Sequence, residues 1–208
     1  TVIRQTSPTM AVLIPDFANP SGRLLRTSER RELGAVLRAG GVRAVVDETL
    51  VETAFDAQAP MPLPFAACAR ATITVGSASK SHWGGMRIGW IRAPRDDVPR
   101  LAAARLGLDI GAPILEQLVL LHALPHLADV AETRRAQLRA SRDHLAARLA
   151  ERLPTWDVPH VHGGLALWVG LGEAYSSRLA LAARARGLAI SAGPRFGTGG
   201  EFERHLRI

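Results

Sequence analysis

The chain has 208 residues, 47% of them apolar, and its 26 lysines and arginines against 19 acids give a formal charge of +7. That length and apolar share suit a globular protein of one domain or of a large and a small one, and no uninterrupted apolar run approaches the roughly 18 residues that a membrane span needs. The excess charge does not read as a nucleic-acid surface: the arginines are interspersed with acids, as in Glu132-Thr133-Arg134-Arg135, and no zinc finger, RNP motif or helix-turn-helix occurs.

The opening residues, Thr1 to Gln5, lack the apolar core of a signal peptide, and the single Cys68 excludes an internal disulfide. Both lead to the expectation of a reducing cytoplasm. Residues 11–14 then read as a buried strand, and the loop leaving it contains Asn19-Pro20-Ser21-Gly22, a turn in which proline fixes φ and glycine supplies a positive one. Thr27 or Ser28 caps a helix that runs to residue 39, with Leu33, Val36 and Leu37 on the face toward the sheet and Gly40-Gly41 ending it. Residues 42–46 form the next strand, which completes a right-handed βαβ unit. At its carboxyl end stands Asp47-Glu48-Thr49-Leu50, where an acid can serve a ligand bound at the strand ends.

Residues 56–70, rich in proline and alanine, read as an irregular loop and a short helix. Strands at 71–75 and 88–91 flank the stretch V-G-S-A-S-K-S-H-W-G-G-M-R-I-G-W, residues 75–90. It holds Lys80, the only lysine beside 25 arginines. A chain that makes this exception needs at Lys80 what a guanidinium cannot do, namely lose a proton and attack a carbonyl. Ser77 and Ser79 offer hydroxyls, Gly84-Gly85 allows close backbone approach, and Arg87 offers a planar fork suited to phosphate. An amine nucleophile flanked by phosphate-binding groups describes a pyridoxal phosphate site. Ser77-Ala78-Ser79-Lys80 also satisfies the S-x-x-K motif of acyl-transfer enzymes, but their later K-T-G is impossible in a chain with one lysine.

Asp96 or Asp97 caps a helix through residue 108, a second helix covers 114–124, Pro125 interrupts, and a long amphipathic helix covers 127–153. The boundary between a large and a small domain falls near Pro125. Strands are expected at 156–161, 165–169, 188–190 and 205–208, with a helix at 177–186 ended by Gly187. His160-Val161-His162 offers two imidazoles from one strand face, but without a third ligand nearby it reads as an edge strand. Gly170-Leu171-Gly172 lacks the third glycine of a dinucleotide loop.

The pattern S-x-S-K-x-x-x-G-G-x-R-I-G resembles the cofactor-lysine signature of fold-type I aminotransferases. With Trp83-Gly84-Gly85 it is most similar to the MocR group, bacterial regulators in which a GntR-type winged-helix domain precedes an aminotransferase-like domain. The resemblance covers nearly the whole chain. It implies an α/β fold with a partial, mixed, mostly parallel sheet and flanking helices, residues 1–125 being part of the large cofactor-binding domain and 126–208 a small α+β domain incomplete at its end. It also implies that Lys80 holds pyridoxal phosphate as a Schiff base, that Ser77, Ser79 and Arg87 hold the phosphate, and that Asn19 faces the cofactor's phenolic oxygen. Asp47 would keep the pyridine nitrogen protonated, and Arg207 would clamp a substrate carboxylate with two parallel hydrogen bonds. Catalytic members carry a tyrosine two or three residues after this aspartate, where this chain has Thr49 and Leu50.

The expected function is therefore an effector domain that responds to pyridoxal phosphate or an amino compound, with DNA contacted only through a domain outside the chain. The alternative is a class I/II aminotransferase, and a third possibility is a cofactor-free scaffold. The chain reads as a fragment that leaves a sheet edge and apolar surface uncovered, and as part of a homodimer when complete.

Overall fold

The computed structural model describes residues 2–55 and 60–208. A short helix α1 (Val2–Thr6) leads into β1 (Met10–Leu13), and α2 (Thr27–Ala39) crosses to β2 (Arg43–Asp47), which pairs parallel to β1 as the βαβ reading requires. The one-turn helix α3 (Phe65–Cys68) precedes β3 (Ile73–Ser77), parallel to β2. The lysine stretch then begins with one turn of helix, α4 (Ala78–Ser81), before β4 (Gly89–Arg92) returns antiparallel to β3. The sheet order β1-β2-β3-β4 is the mixed, mostly parallel arrangement expected. Of the loop expected at 56–70, residues 56–59 lie outside the described ones.

The inner stripe of α2 differs from the one expected. Arg30, Gly34 and Leu37 are buried, Leu33 is half-buried against the core, and Val36 is 48% exposed. Two contacts turn the helix this way. Asp16 draws Arg30 inward at 2.6 Å, and Gly34 lets the helix approach residues 68–69, where an added Cβ would lie 2.9 Å from the Ala69 methyl. The helix start differs too. Arg26 occupies the cap position and donates its N–H to Glu29 Oε2 at 2.7 Å, while Thr27 Oγ1 instead accepts from the Leu63 N–H at 3.1 Å.

That Arg26 N–H, together with the Arg23 guanidinium at 2.8 Å, holds the Glu29 carboxyl down from an ordinary 4.5 to about 2. Because the folded value is the lower one, the stabilisation is complete above pH 4.5 and is lost as pH falls through about 2. An NMR titration of Glu29 in Arg23→Ala is expected to show the midpoint moving back up.

Against the sheet, Leu37, Val42, Ala44, Val46 and Phe65 form a buried cluster on which Ile3 of α1 packs. Phe65 has no exposed surface. Its truncation to alanine is expected to cost about 3–5 kcal/mol, read as a lower denaturant midpoint. The outer strands are less covered: Val12 on β1 is 72% exposed, and Trp90 and Ile91 on β4 are 52% and 55% exposed.

Helix α5 (Val98–Arg105) ends before the expected residue 108, tightening into three-residue turns through Leu108. Asp97 holds its cap position, but the carboxylate pairs with Arg43 at 3.0 Å and makes no cap bond. The helices α6 (Ile114–Ala123) and α7 (Leu127–Arg152) meet at a turn containing Pro125, as expected. On α6, Ile114, Leu115, Leu118, Val119 and Leu121 are all exposed.

Helix α7 backs a second, antiparallel sheet of order β5-β7-β6, built from β5 (Trp168–Gly170), β6 (Ser191–Ala192) and β7 (His205–Arg207). Leu138, Leu145 and Leu149 of α7 cover Val161, Leu167 and Val169. The strand expected at 156–161 does not form. Trp156, Val158 and Val161 face this core, Pro159 has no N–H for a ladder, and Asp157 makes one isolated bridge to Gly170. The strand expected at 188–190 falls instead on Ser191 and Ala192, because the turn that ends α8 closes at Gly187 with φ 81° and the Leu188 N–H still bonds the Ala183 carbonyl at 3.0 Å. Helix α8 (Ser176–Arg184) starts on a distant carboxylate: Glu203 accepts the Ser177 N–H at 3.0 Å and the hydroxyls of Ser177 and Ser176 at 2.8 and 3.2 Å. This ties α8 to the approach of β7.

Candidate active site

The parallel strands β2 and β3 end on the same side of the sheet, so their carboxyl ends deliver Asp47 and Ser77 to one rim. Asp47 is half-buried, and its Oδ1 accepts the Thr49 N–H at 2.8 Å, which fixes the carboxylate at the strand exit. Ser77 caps α4: its Oγ accepts the Ser79 N–H at 3.1 Å, and this turn presents Lys80. The loop after β1 is closed by the Leu25 N–H to the Pro15 carbonyl at 2.8 Å and by the Ala18 N–H to the Arg23 carbonyl at 2.9 Å. It carries Asn19 back over the same rim.

Four of the expected residues meet. Asn19, Asp47, Lys80 and Arg207 line one cavity of about 180 Å³, together with Phe17, Leu50 and the segment Gly164, Leu165 and Ala166. Arg207 reaches it from β7 in the second sheet, and its Nε is buried with no hydrogen-bond partner. Ser77 lines a second cavity of about 540 Å³ that shares Thr49 with the first, and whose other walls include Glu48, Ser81, His82, Trp90 and Leu120. Burial pushes the Glu48 carboxyl up, against the lowering effect of the Phe65 N–H it accepts. Ser79 and Arg87 line neither of these two cavities; Arg87 follows the turn at Gly84–Met86 with φ 52° and an exposed side chain.

The donor set fits pyridoxal phosphate. A primary amine, a carboxylate and an amide share one small cavity, the Ser77 hydroxyl stands at the next, and the orphaned Arg207 Nε is left for an anion. Sequence reasoning missed Phe17, Leu165 and Ala166 as wall residues. They reach the cavity only because the Phe17 ring packs on Gly163, a contact that local sequence does not announce. Among the described residues no group of three or more His, Cys, Asp and Glu comes together, and His160 and His162 pack edge to face at 4.9 Å.

The family model for class I and II aminotransferases matches residues 2–208. The chain is 28% identical over 165 residues to the uncharacterized HTH-type transcriptional regulator YisV of Bacillus subtilis, covering 75% of this chain and 33% of that protein. It is 33% identical over 149 residues to the "Probable N-succinyldiaminopimelate aminotransferase DapC" of Mycobacterium tuberculosis, covering 70% of this chain and 37% of that protein. In structure it matches the α-aminoadipate aminotransferase LysN of Thermus thermophilus, complexed with N-(5'-phosphopyridoxyl)-L-leucine, at a TM-score of 0.89 and 26% identity, over all of this chain and 55% of that one. The chain thus spans about a third of the length of these curated relatives. The matched span and the common architecture agree: the chain belongs to the class I and II aminotransferase family.

Proposed function

We propose that this chain is the pyridoxal-phosphate-binding part of a MocR/GntR-type transcription regulator. It holds the cofactor at Lys80 and responds to it or to an amino compound, while DNA is contacted by a domain outside the chain. The observation that carries this reading is the convergence of Asn19, Asp47, Lys80 and Arg207 on one cavity. When bound, the cofactor supplies an electron-accepting ring and an aldehyde. Lys80 would hold the aldehyde end through its Nζ, Asp47 would keep a proton on the ring nitrogen, Asn19 would donate to the phenolic oxygen, and Ser77, at the second cavity, would hold the phosphate, with Ser79 and Arg87, which line neither cavity, assigned to it by the resemblance. Arg207 clamps a carboxylate. Residues 1–125 belong to the large domain and 126–208 to the small one; the whole protein is a cytoplasmic homodimer, a pairing for which the bare apolar face of α6 is the support.

Leu50 in the cavity wall favours the regulator, since no phenol is there to tune the cofactor, and so does the likeness to YisV. An aminotransferase is the second reading, supported by the free Arg207 Nε beside Lys80 and by the likeness to DapC. In it, Lys80 Nζ would also move the proton from the substrate α-carbon. The deciding experiment adds pyridoxal phosphate to the full-length protein and follows its visible absorbance, then adds amino acids. A band that borohydride fixes to Lys80, that amino acids discharge slowly if at all, and that changes operator binding supports the regulator. Rapid discharge with release of a 2-oxo acid supports the enzyme, and no band refutes both.

A further inference from the structure

The loop carrying Asn19 is held in an uncommon shape from two sides. Phe17 has φ 49°, a left-handed backbone seldom adopted by a bulky residue, and its 2%-exposed ring lies on Gly163, where an added Cβ would come within 2.4 Å of it. On the other side Asp16 and Arg30, each 1% exposed, pair at 2.6 Å. The remaining donors of the Arg30 fork reach the carbonyls of Leu25 at 2.9 Å, Leu63 at 3.1 Å and Pro15 at 3.5 Å. One guanidinium therefore joins the exit of β1, the entry of α2 and the segment before α3. It closes the base of the loop whose tip bears Asn19.

A buried ion pair is weak support for stability, because apolar residues of equal volume do as well or better. A strained backbone persists only where its surroundings over-determine it, and such places cluster at ligand clamps. We propose that Arg30 and Asp16 are positioning residues. Their buried pair holds residues 15–19 in the conformation that sets Asn19 on the cavity wall beside Asp47 and Lys80, and so governs how firmly Asn19 grips the bound ring. The inference rests on the cofactor reading above. It adds two residues that touch no ligand yet control one that does, and small misplacements of such a group have large effects.

The test uses the full-length protein loaded with pyridoxal phosphate, and reads the cofactor Kd and the pH midpoint of the visible band, which a hydrogen bond to the phenolic oxygen shifts. Asn19→Ala moves the midpoint. Arg30→Met and Asp16→Asn are expected to move it in the same direction and to weaken cofactor binding roughly tenfold, the size of one lost polar contact. The double variant Arg30→Met/Asn19→Ala is expected to match Asn19→Ala alone, since both changes remove the same grip. If Arg30→Met does not fold, the nearly isosteric Asp16→Asn carries the same comparison. The proposal is overturned if Asn19→Ala shifts the midpoint while the Arg30 and Asp16 variants lower only thermal stability and keep the wild-type midpoint and Kd. Should the wild type take up no cofactor, or Asn19→Ala leave the midpoint in place, the cofactor reading itself fails and takes this inference with it.

Discussion

Lys80→Arg in the full-length protein is expected to abolish covalent retention of pyridoxal phosphate. The substitution keeps the positive charge and much of the length, yet a guanidinium stays protonated and does not attack an aldehyde carbon. Two measurements check this: the visible band should be absent at saturating cofactor, and borohydride should leave no mass increment on the peptide 78–92. Weaker, non-covalent binding should survive, because Asp47, Asn19 and Ser77 remain in place around the two cavities. A variant that kept the band would place the reactive amine outside this chain, whose one lysine is Lys80.

The second large effect is expected at Asp47. Asp47→Asn preserves the shape of the side chain and its bond from the Thr49 N–H, made at 2.8 Å in the wild type, but removes the charge. An opposite charge in close range raises a basic group's affinity for its proton by about one to three pH units. The ring nitrogen of the bound cofactor should therefore lose its proton that much more readily, seen in a pH titration by nitrogen NMR. Any amino-acid half-reaction should slow by roughly ten- to a thousandfold, one decade per unit. Equal rates in Asp47→Asn and the wild type would remove Asp47 from the cofactor's ring.

What the sequence disclosed, and what it kept back, follows from where each constraint lies. Lys80 stood out because a chain that otherwise uses arginine makes the one exception visible. Asp47 and Ser77 were legible because hydrophobic runs locate strand ends, and ligands of parallel sheets gather there. Arg207 came from resemblance, and the structure brings it to the same cavity from a different sheet. The inward turn of Arg30 was not legible: helical periodicity sorts residues by polarity, and an arginine with a carboxylate 14 positions back defeats that sorting. The segment 156–161 failed for a related reason. Its apolar residues Trp156, Val158 and Val161 do join the core that α7 covers, but Pro159 leaves no continuous ladder to build. Glu203 as the start of α8 was beyond local reading altogether, since the helix borrows its first acceptor from 26 residues away.

The contact between Phe17 and Gly163 has a genetic corollary. Glycine and alanine codons differ by one base at the middle position, so Gly163→Ala is open to this gene through a single base change. The methyl it adds would lie within 2.4 Å of a ring that has nowhere to retreat, being 2% exposed. In a random-mutagenesis library scored by cofactor retention, alanine at 163 is expected to be depleted as strongly as substitutions at Asn19, although Gly163 is absent from the cavity wall.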